Sequence, residues 1–210
     1  MEYLFVASSA TKQRNSFGLS EEIRVEFLRK SIHLLIAFVP GIAHFSLGLA
    51  LGLLSGGILF YTACESLRIE GYHIPAISRL TALAARRRDG DRFVLGPVTL
   101  GLGALLALLL YPNPAASIAI YALAFGDGLS SLVGKSFGSI LLPFTDGKSL
   151  EGSLTCLLAV FTASFALTGD ALRSIAIAVF AALVEAAPTK DLDNILLPVA
   201  VGAVATILFK

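Results

Sequence analysis

Long apolar runs alternate with short polar segments along most of the chain. The runs lie near residues 31–43, 46–64, 94–111, 114–133, 152–168, 173–187 and 194–209. A helix needs about 20 mostly apolar residues to cross the hydrocarbon core of a bilayer, and it satisfies its backbone groups internally. The pattern therefore predicts an all-α fold, a polytopic membrane helix bundle with about seven transmembrane helices. The first and sixth runs are short, so we expect those helices to be tilted or partly interfacial.

Composition supports a membrane protein and excludes an ordinary soluble domain. Hydrophobic residues make up 56% of the 210 residues, charged residues 15%, and the mean hydropathy is +0.81, whereas soluble domains carry about 25% charged residues. We expect one integral domain over residues 1–210, with residues 1–28 as an N-terminal cytoplasmic or interfacial lead. Cys64 and Cys156 lie within apolar runs, which predicts small core residues rather than a disulfide or a metal site.

The basic residues fall in alternate polar segments, which indicates an orientation. If the N-terminus is cytoplasmic, every Lys and Arg except Arg173 and Lys210 lies on the cytoplasmic side, as the positive-inside rule requires. The cluster Arg86-Arg87-Arg88 then lies in the longest loop and is expected to bind anionic lipid headgroups. It lacks the interleaved aromatic residues of a nucleic-acid site, so we expect no nucleic-acid partner.

Charged residues at the ends of the first two runs form spaced groups. Arg29 and Lys30 precede His33 by one helical turn, so all three side chains share a face and can donate to one anionic group. The alternative is that the two cations anchor the helix by snorkelling and that His33 is a core residue. Glu65 and Arg68 are three residues apart and can pair, either as a structural clamp or to orient a basic residue of the site.

Asp127 is the most informative single residue, because a carboxylate within an apolar run is costly and usually faces a polar cavity or a partner. Glycines flank it, and Ser130 and Ser131 follow about one turn later. Together these oxygen donors suit a bound cation.

The polar segment from Gly134 to Gly152 carries spaced glycines and lysines. It lacks the strand and the glycine spacing of a P-loop. Lys148 is a mobile positive charge suited to a phosphate, and Glu151 lies one turn further on. A plain solvated loop is the alternative interpretation.

A second acidic cluster precedes the last run. It consists of Glu185, Asp191, Asp193 and Asn194, with Lys190 beside them. Pro198 has no N–H to bond the carbonyl of Asn194, four residues earlier, so that oxygen is free to line a polar cavity or bind an ion. Helix capping by Asp193 or Asn194 is the alternative. Two carboxylates, Asp127 and Asp193, with lysines at the same membrane face would suit a magnesium–nucleotide complex.

Taken in order, these motifs resemble the small CTP-dependent lipid kinases, the family of phytol kinase, dolichol kinase and CTP-using diacylglycerol kinase. The matching motifs are Arg29-Lys30-x-x-His33, Glu65-x-x-Arg68, Gly126-Asp127-Gly128 with Gly134 and Gly138, Lys148-Ser149-x-Glu151-Gly152, and Asp193-Asn194-x-x-x-Pro198. The resemblance implies transfer of the γ-phosphate of CTP, with Mg²⁺, to the hydroxyl of phytol, a polyprenol such as dolichol, or diacylglycerol at the cytoplasmic face.

The resemblance also implies roles for individual residues. Asp127 and Asp193 would hold the metal with help from Asn194, and either aspartate is a candidate base. Glu151 would support the loop, and Glu65, Arg68 and Glu185 would orient site residues. Candidates for binding phosphates or nucleotide are Arg29, Lys30, His33, Lys135, Lys148, Lys190 and Asn194. We expect Asp127→Asn and Asp193→Asn each to abolish activity and leave the protein folded.

Two alternative functions stay open at this point. A phosphatidate cytidylyltransferase also uses CTP and Mg²⁺, but only Lys190-Asp191-x-Asp193 matches the opening of its long signature. A small transporter or scaffold would use Asp127 and Glu185 to bind a coupling ion. A transporter of this kind usually contains inverted repeats, and the sequence contains none that is convincing.

Overall fold

The computed structural model describes residues 23–72, 92–188 and 192–210. Within these ranges the regular structure is helical, apart from one isolated antiparallel bridge between Leu141 and Ser149. The helices in chain order are α1 (23–34), a 3₁₀ turn (Leu35–Phe38), α2 (Val39–Phe45), α3 (Leu47–Ile69), α4 (Gly96–Leu110), α5 (Ala115–Tyr121), a π-helical stretch (Ala122–Asp127), α6 (Gly128–Phe137), α7 (Leu150–Thr168), α8 (Ala171–Ala186) and α9 (Asp193–Leu208).

These elements form seven helical bodies in the described part of the chain, in the order that the apolar runs predict. The 3₁₀ turn joins α1 to α2, and the π-helical stretch joins α5 to α6, because the residues at these junctions keep right-handed helical angles. The first body is already helical at residue 23, the first described residue, rather than only from near residue 31. The apolar run covers only the uncharged part of the helix, whereas helical hydrogen bonding also includes the charged residues that precede the run.

Three of the helical segments among the described residues are long and apolar enough to cross a membrane. They are Leu47–Ile69, Ala115–Phe137 and Leu150–Thr168, and Gly96–Leu110 and Asp193–Leu208 are shorter apolar helices. In the most apolar 18-residue stretch of Ala115–Phe137, 61% of the residues are buried inside the protein. The corresponding shares are 17% for Leu47–Ile69 and 22% for Leu150–Thr168. The helix that carries Asp127 is therefore the centre of the bundle.

Local sequence signals fix where several helices begin. The side chains of Ser46, Ser149 and Asp170 each accept a hydrogen bond from a backbone N–H in the first turn of α3, α7 and α8. Such caps satisfy donors that have no partner within the helix.

The core where α5, α7, α8 and α9 meet is built largely from small residues. Its members include Ala115, Ala122, Cys156, Ala178 and Ala181. Small side chains let helix backbones approach closely where lipid removes the usual hydrophobic driving force between helices. Both cysteines are buried and free, so the prediction of core thiols is confirmed.

The stretch of small residues at the start of α4 packs against α9. A Cβ on Gly103 would collide with the backbone oxygen of Asn194 and would lie 3.1 Å from Cγ of Pro198. This is the carbonyl that Pro198 leaves without a helical donor. It lies against the backbone of α4, so this contact between the two helices requires glycine.

Candidate functional site

A polar cavity of about 400 Å³ opens where one end of α1, α6, α8 and α9 meets the loop before α7. Cations and carboxylates line it together with serines and glycines. The charged lining residues are Arg29, Lys135, Asp146, Lys148, Glu185 and Asp193. Five of the candidates from separate polar segments of the sequence therefore meet in one place, namely Arg29, Lys135, Lys148, Glu185 and Asp193.

Asp127 lies behind this cavity and pairs with a buried cation. The Nζ atom of Lys30 donates to Oδ2 of Asp127, and both residues are 1% exposed. Nε2 of His33 lies 3.3 Å from the same oxygen and donates to the backbone carbonyl of Leu123 at 2.8 Å. Arg29, Lys30 and His33 therefore do not share one anionic group as predicted, because only Lys30 and His33 lie against Asp127, whereas Arg29 donates to Glu26.

The π-helical stretch explains why these groups meet. Residues 122–127 form a wider turn that ends at Asp127, and the carbonyl that His33 binds belongs to this turn. Insertions of this kind are frequent at functional sites because they redirect side chains and free carbonyls. Gly126 lies within this turn, and Gly128 follows it directly.

A second charged group joins α1 to α6 through Glu26. Its carboxylate accepts from the guanidinium of Arg29 and, at 2.7 Å, from Nζ of Lys135. Glu26 precedes the apolar part of its helix, and although burial raises the pKa of its carboxyl, Arg29 and Lys135 outweigh burial and lower the pKa to about 2. Glu26 therefore holds two predicted phosphate-binding cations at the rim of the cavity.

A third group joins the loop before α7 to the end of α8. Lys148 Nζ donates to Oε1 of Glu185 at 2.5 Å and to the backbone carbonyl of Glu185 at 2.6 Å. Ser130 Oγ donates to the same Oε1 at 3.2 Å. Lys148 thus lies in the wall of the cavity with its ammonium positioned by α8.

The loop that carries Lys148 is held at both ends. Glu151 accepts hydrogen bonds from the backbone N–H and hydroxyl of Ser139, at 2.9 and 2.5 Å, and from the N–H of Ile140. Backbone bonds from Leu142 to Lys148 and from Leu150 to Ile140 close the loop into a narrow hairpin. These contacts fit the loop-supporting role that the resemblance implies for Glu151.

One glycine of the motif serves packing. A Cβ on Gly138 would lie 2.7 Å from Cβ of Ser149 and 2.6 Å from its Oγ. Any side chain there would push the end of α6 away from the start of α7. Glycine at position 138 therefore permits the close approach of two helices.

The start of α9 contributes one residue to the cavity and one to the neighbouring helix. Asp193 lines the cavity within electrostatic range of Asp127, Lys30 and Lys148. Asn194 is buried, and its Nδ2 donates to Oγ1 of Thr99 on α4 at 2.9 Å. The amide therefore holds α9 to α4 in this structure, while its predicted part in metal or nucleotide binding stays a prediction.

Glu65 and Arg68 form the predicted pair. Arg68 donates to both carboxylate oxygens of Glu65 at 2.8 Å, and Glu65 also accepts from the N–H of Val94 at 2.9 Å. Arg68 further donates to the carbonyl of Arg92 at 3.0 Å. These contacts clamp the end of α3 to the segment before α4, so they favour the structural interpretation. Lys190 and Asp191 lie outside the described residues.

Glu26 was not among the site residues predicted from the sequence. A carboxylate one turn before Arg29 on the same predicted helix face was the available signal. It was passed over because Glu26 lies outside the apolar run. Its second partner, Lys135, is 109 residues away, so no local spacing indicated that contact.

Two apolar grooves lie beside the charged groups. One of about 590 Å³ is lined by residues that include Leu34, Phe38 and Tyr121, and one of about 460 Å³ by residues that include Leu129 and Leu158. Phe125, Ala163 and Ala166 line both grooves, so they adjoin. Leu34 follows His33 directly, and both side chains lie beside Gly128. The apolar surface therefore adjoins the Lys30, His33 and Asp127 cluster.

The chain is similar to curated plant isoprenoid-alcohol kinases. It is 27% identical over 164 residues to the probable phytol kinase 1, chloroplastic, of Glycine max, a match that covers 70% of this chain and 54% of that protein. It is 34% identical over 125 residues to the farnesol kinase, chloroplastic, of Arabidopsis thaliana, covering 51% and 41%. For phytol kinase 1, chloroplastic, of the same plant, the identity is 27% over 159 residues, covering 67% and 52%.

The chain thus spans about half the length of the curated relatives it matches. No protein-family model matches it, and no solved structure matches it. The resemblance to lipid-alcohol kinases that the motifs indicated is confirmed by the names of these relatives.

Proposed function

We propose that this protein is a multi-pass membrane kinase that transfers the γ-phosphate of CTP to the hydroxyl of an isoprenoid alcohol of the phytol or farnesol class. The similarity to enzymes named phytol kinase and farnesol kinase supports this proposal over a cytidylyltransferase, a transporter or a scaffold. CTP as the donor, and a cytoplasmic position for the site, rest on the motif resemblance and on the distribution of basic residues.

The observation that carries the proposal is the polar cavity at the end of an otherwise apolar bundle. Arg29, Lys135 and Lys148 bring three positive charges to its wall. Phosphoryl transfer depends almost entirely on positioning the reactants and neutralising the charge on the phosphates. A cavity lined by cations that can contact phosphates and by carboxylates that can hold a metal ion, built into a membrane domain, is suited to a charged donor and a lipid acceptor.

Asp193 is the carboxylate best placed to hold Mg²⁺, because it lines the cavity beside the serine hydroxyls of α6. Mg²⁺ prefers oxygen ligands and is usually bound by one or two carboxylates plus phosphate oxygens. The described residues contain no group of three His, Cys, Asp or Glu side chains that could hold a metal, so phosphates and water would supply most ligands. Asp127 would join this set only if its oxygens are shared with Lys30. The ion would neutralise charge on the phosphates.

The acceptor is assigned to the apolar grooves. An isoprenoid tail is a flexible hydrocarbon, and the adjoining grooves around Phe125 offer apolar surface on the side of the bundle. Their inner end adjoins the charged groups through Leu34 and Gly128. We therefore propose that the tail lies along these grooves while the hydroxyl reaches the polar cavity.

The test is a label-transfer reaction with the purified protein in lipid nanodiscs containing Mg²⁺. CTP labelled at the α- or the γ-phosphate is offered in parallel with farnesol, phytol, dolichol, diacylglycerol and phosphatidate. The proposal predicts γ-label in the phosphate ester of farnesol or phytol and no α-label in any lipid. Parallel reactions with γ-labelled ATP, GTP and UTP measure the preference for CTP.

The outcomes separate the alternatives. Transfer of α-label to phosphatidate would make the protein a cytidylyltransferase and overturn the proposal. No transfer from any nucleotide to any lipid would remove the kinase assignment. A Lys148→Ala variant provides the internal control, because loss of this cation should raise the KM for CTP more than the KM for the alcohol.

A further inference from the structure

Glu185 is the buried carboxylate of the cavity whose two oxygens have different surroundings. Its side chain is 3% exposed, and Oε1 accepts from both Lys148 and Ser130. Oε2 is fully buried and has no hydrogen-bond donor among the described residues. Glu185 also belongs to the wall of the cavity.

An unpartnered carboxylate oxygen in a buried position is costly, because it has given up water without gaining another donor. Such groups are rare in folded proteins, and each needs an explanation. Glu185 lines the cavity, so a substrate bound there would lie beside this carboxylate. The arrangement indicates a donor that arrives with a substrate.

The proposed function, on which this step rests, brings three kinds of group to the cavity. Phosphate oxygens of the nucleotide accept hydrogen bonds and carry negative charge, so they are repelled by Glu185. A Mg²⁺ ion on Oε2 would lie close to the ammonium of Lys148, which already occupies the other oxygen of the same carboxylate. A hydroxyl is neutral and donates, so it satisfies Oε2 without either penalty.

We infer that Oε2 of Glu185 binds the hydroxyl of the lipid alcohol and accepts its proton during phosphoryl transfer. The alcohol oxygen forms a bond to the γ-phosphorus while the bond from that phosphorus to the β,γ-bridging oxygen breaks. The electron pair of the broken bond leaves with CDP, and the hydroxyl proton passes to Oε2. Glu185 then releases this proton to water in the cavity.

The neighbouring cation supports this assignment. Lys148 Nζ lies 2.5 Å from Oε1, so a phosphate held by Lys148 would be only a few ångströms from a hydroxyl held by Oε2. One carboxylate would thus bring the donor and the acceptor together. Glu185 would be a catalytic residue, rather than only a group that orients Lys148.

The experiment compares kinetics of the full chain in nanodiscs with farnesol and γ-labelled CTP. Glu185→Gln keeps the shape of the side chain but cannot take the proton, so kcat should fall by about 100-fold or more, with the KM for CTP changed less than about threefold. Asp170→Asn is the matched control: it makes the same change at the opposite end of α8, where the side chain caps the helix, and its kcat should be unchanged.

Two further comparisons complete the experiment, one with a second variant of Glu185 and one with deoxy analogues of CTP. Glu185→Asp retains the charge but withdraws the oxygen by one methylene, so it should lower kcat even if Glu185→Gln fails to fold. A ribose hydroxyl could supply the same donor chemistry, so 2′-deoxy-CTP and 3′-deoxy-CTP are compared with CTP. The inference is overturned if the wild-type protein binds a deoxy analogue more weakly than CTP while Glu185→Gln binds the analogue and CTP equally well. That result would mean that Glu185 binds the ribose.

A kcat within about threefold of wild type in both folded Glu185 variants would also overturn it. Absence of transfer by the wild-type protein would instead remove the proposed function, so the two failures are distinguishable.

Discussion

Asp127→Asn should destabilise the protein strongly, because it leaves the ammonium of Lys30 buried without its counter-charge. Both side chains are at most 2% exposed, and Lys30 is fully enclosed. Removing one partner of a buried ion pair typically costs about 3–5 kcal/mol. For a chain of this size, where 1 kcal/mol corresponds to about 2–4 °C, the midpoint of unfolding should fall on the order of 6–20 °C.

The chain offers a direct assay for this effect. It contains no Trp, but both of its cysteines are buried and free. A dye that fluoresces on reaction with thiols therefore reports unfolding in detergent as Cys64 and Cys156 become accessible. Lys30→Met should lower the midpoint by a similar amount, and the double variant Lys30→Met with Asp127→Asn should recover much of the loss, since no lone buried charge remains.

An exposed ion pair provides the comparison. Arg173 and Asp170 lie 3.4 Å apart with side chains 49% and 36% exposed, so Arg173→Gln should cost no more than about 1 kcal/mol. Two results would refute the buried ion pair between α1 and the π-helical stretch. One is an unfolding midpoint for Asp127→Asn as high as that of the Arg173→Gln control. The other is a loss of stability in the double variant equal to the sum of the losses in the two single variants. A strong loss of stability would replace the expectation from the sequence that Asp127→Asn leaves the protein folded, and lost activity in this variant would then not by itself identify a metal ligand.

Other variants test separate parts of the structure. Gly103→Ala should lower the unfolding midpoint by several degrees because its Cβ would collide with the carbonyl of Asn194, whereas Gly48→Ala, which has open space, should not. Glu151→Gln should weaken the hydrogen bonds to the N–H groups of Ser139 and Ile140. It should therefore speed proteolysis of the loop before α7 and raise the KM for CTP, with little change in the unfolding midpoint. An unchanged rate of proteolysis would contradict the loop-supporting role of Glu151. Glu65→Gln should lower stability while the remaining folded enzyme keeps its KM values, and a selective change in KM would instead place Glu65 in the site.

Much of the fold was predictable because its cause is local. Apolar length and the single central carboxylate can be read along the chain, and they predict the seven helical bodies and the importance of Asp127. The apolar run predicts a first helix from near residue 31, but α1 is helical from residue 23. An apolar run ends where charged residues begin, whereas a helix continues through them.

The partners of the charged residues were not predictable in the same way. Arg29, Lys30 and His33 were expected to share one anionic ligand, but Lys30 binds Asp127 and Arg29 binds Glu26. Glu185 was expected to orient other groups in a kinase or to bind a coupling ion in a transporter, and its unpartnered oxygen became evident only with Lys148 and Ser130 beside it.

By itself the sequence determined that this is a chain of apolar helices with its chemistry-bearing residues in a few polar segments, because residue spacing sets helix faces and hydrophobic length sets spans. Tertiary structure decided which charges neutralise one another and which remain available, because Asp127 with Lys30, Glu26 with Lys135 and Lys148 with Glu185 are 97, 109 and 37 residues apart. Contacts over such distances depend on how helices pack, and here that packing follows from glycines and a π-helical turn that bring particular backbones together.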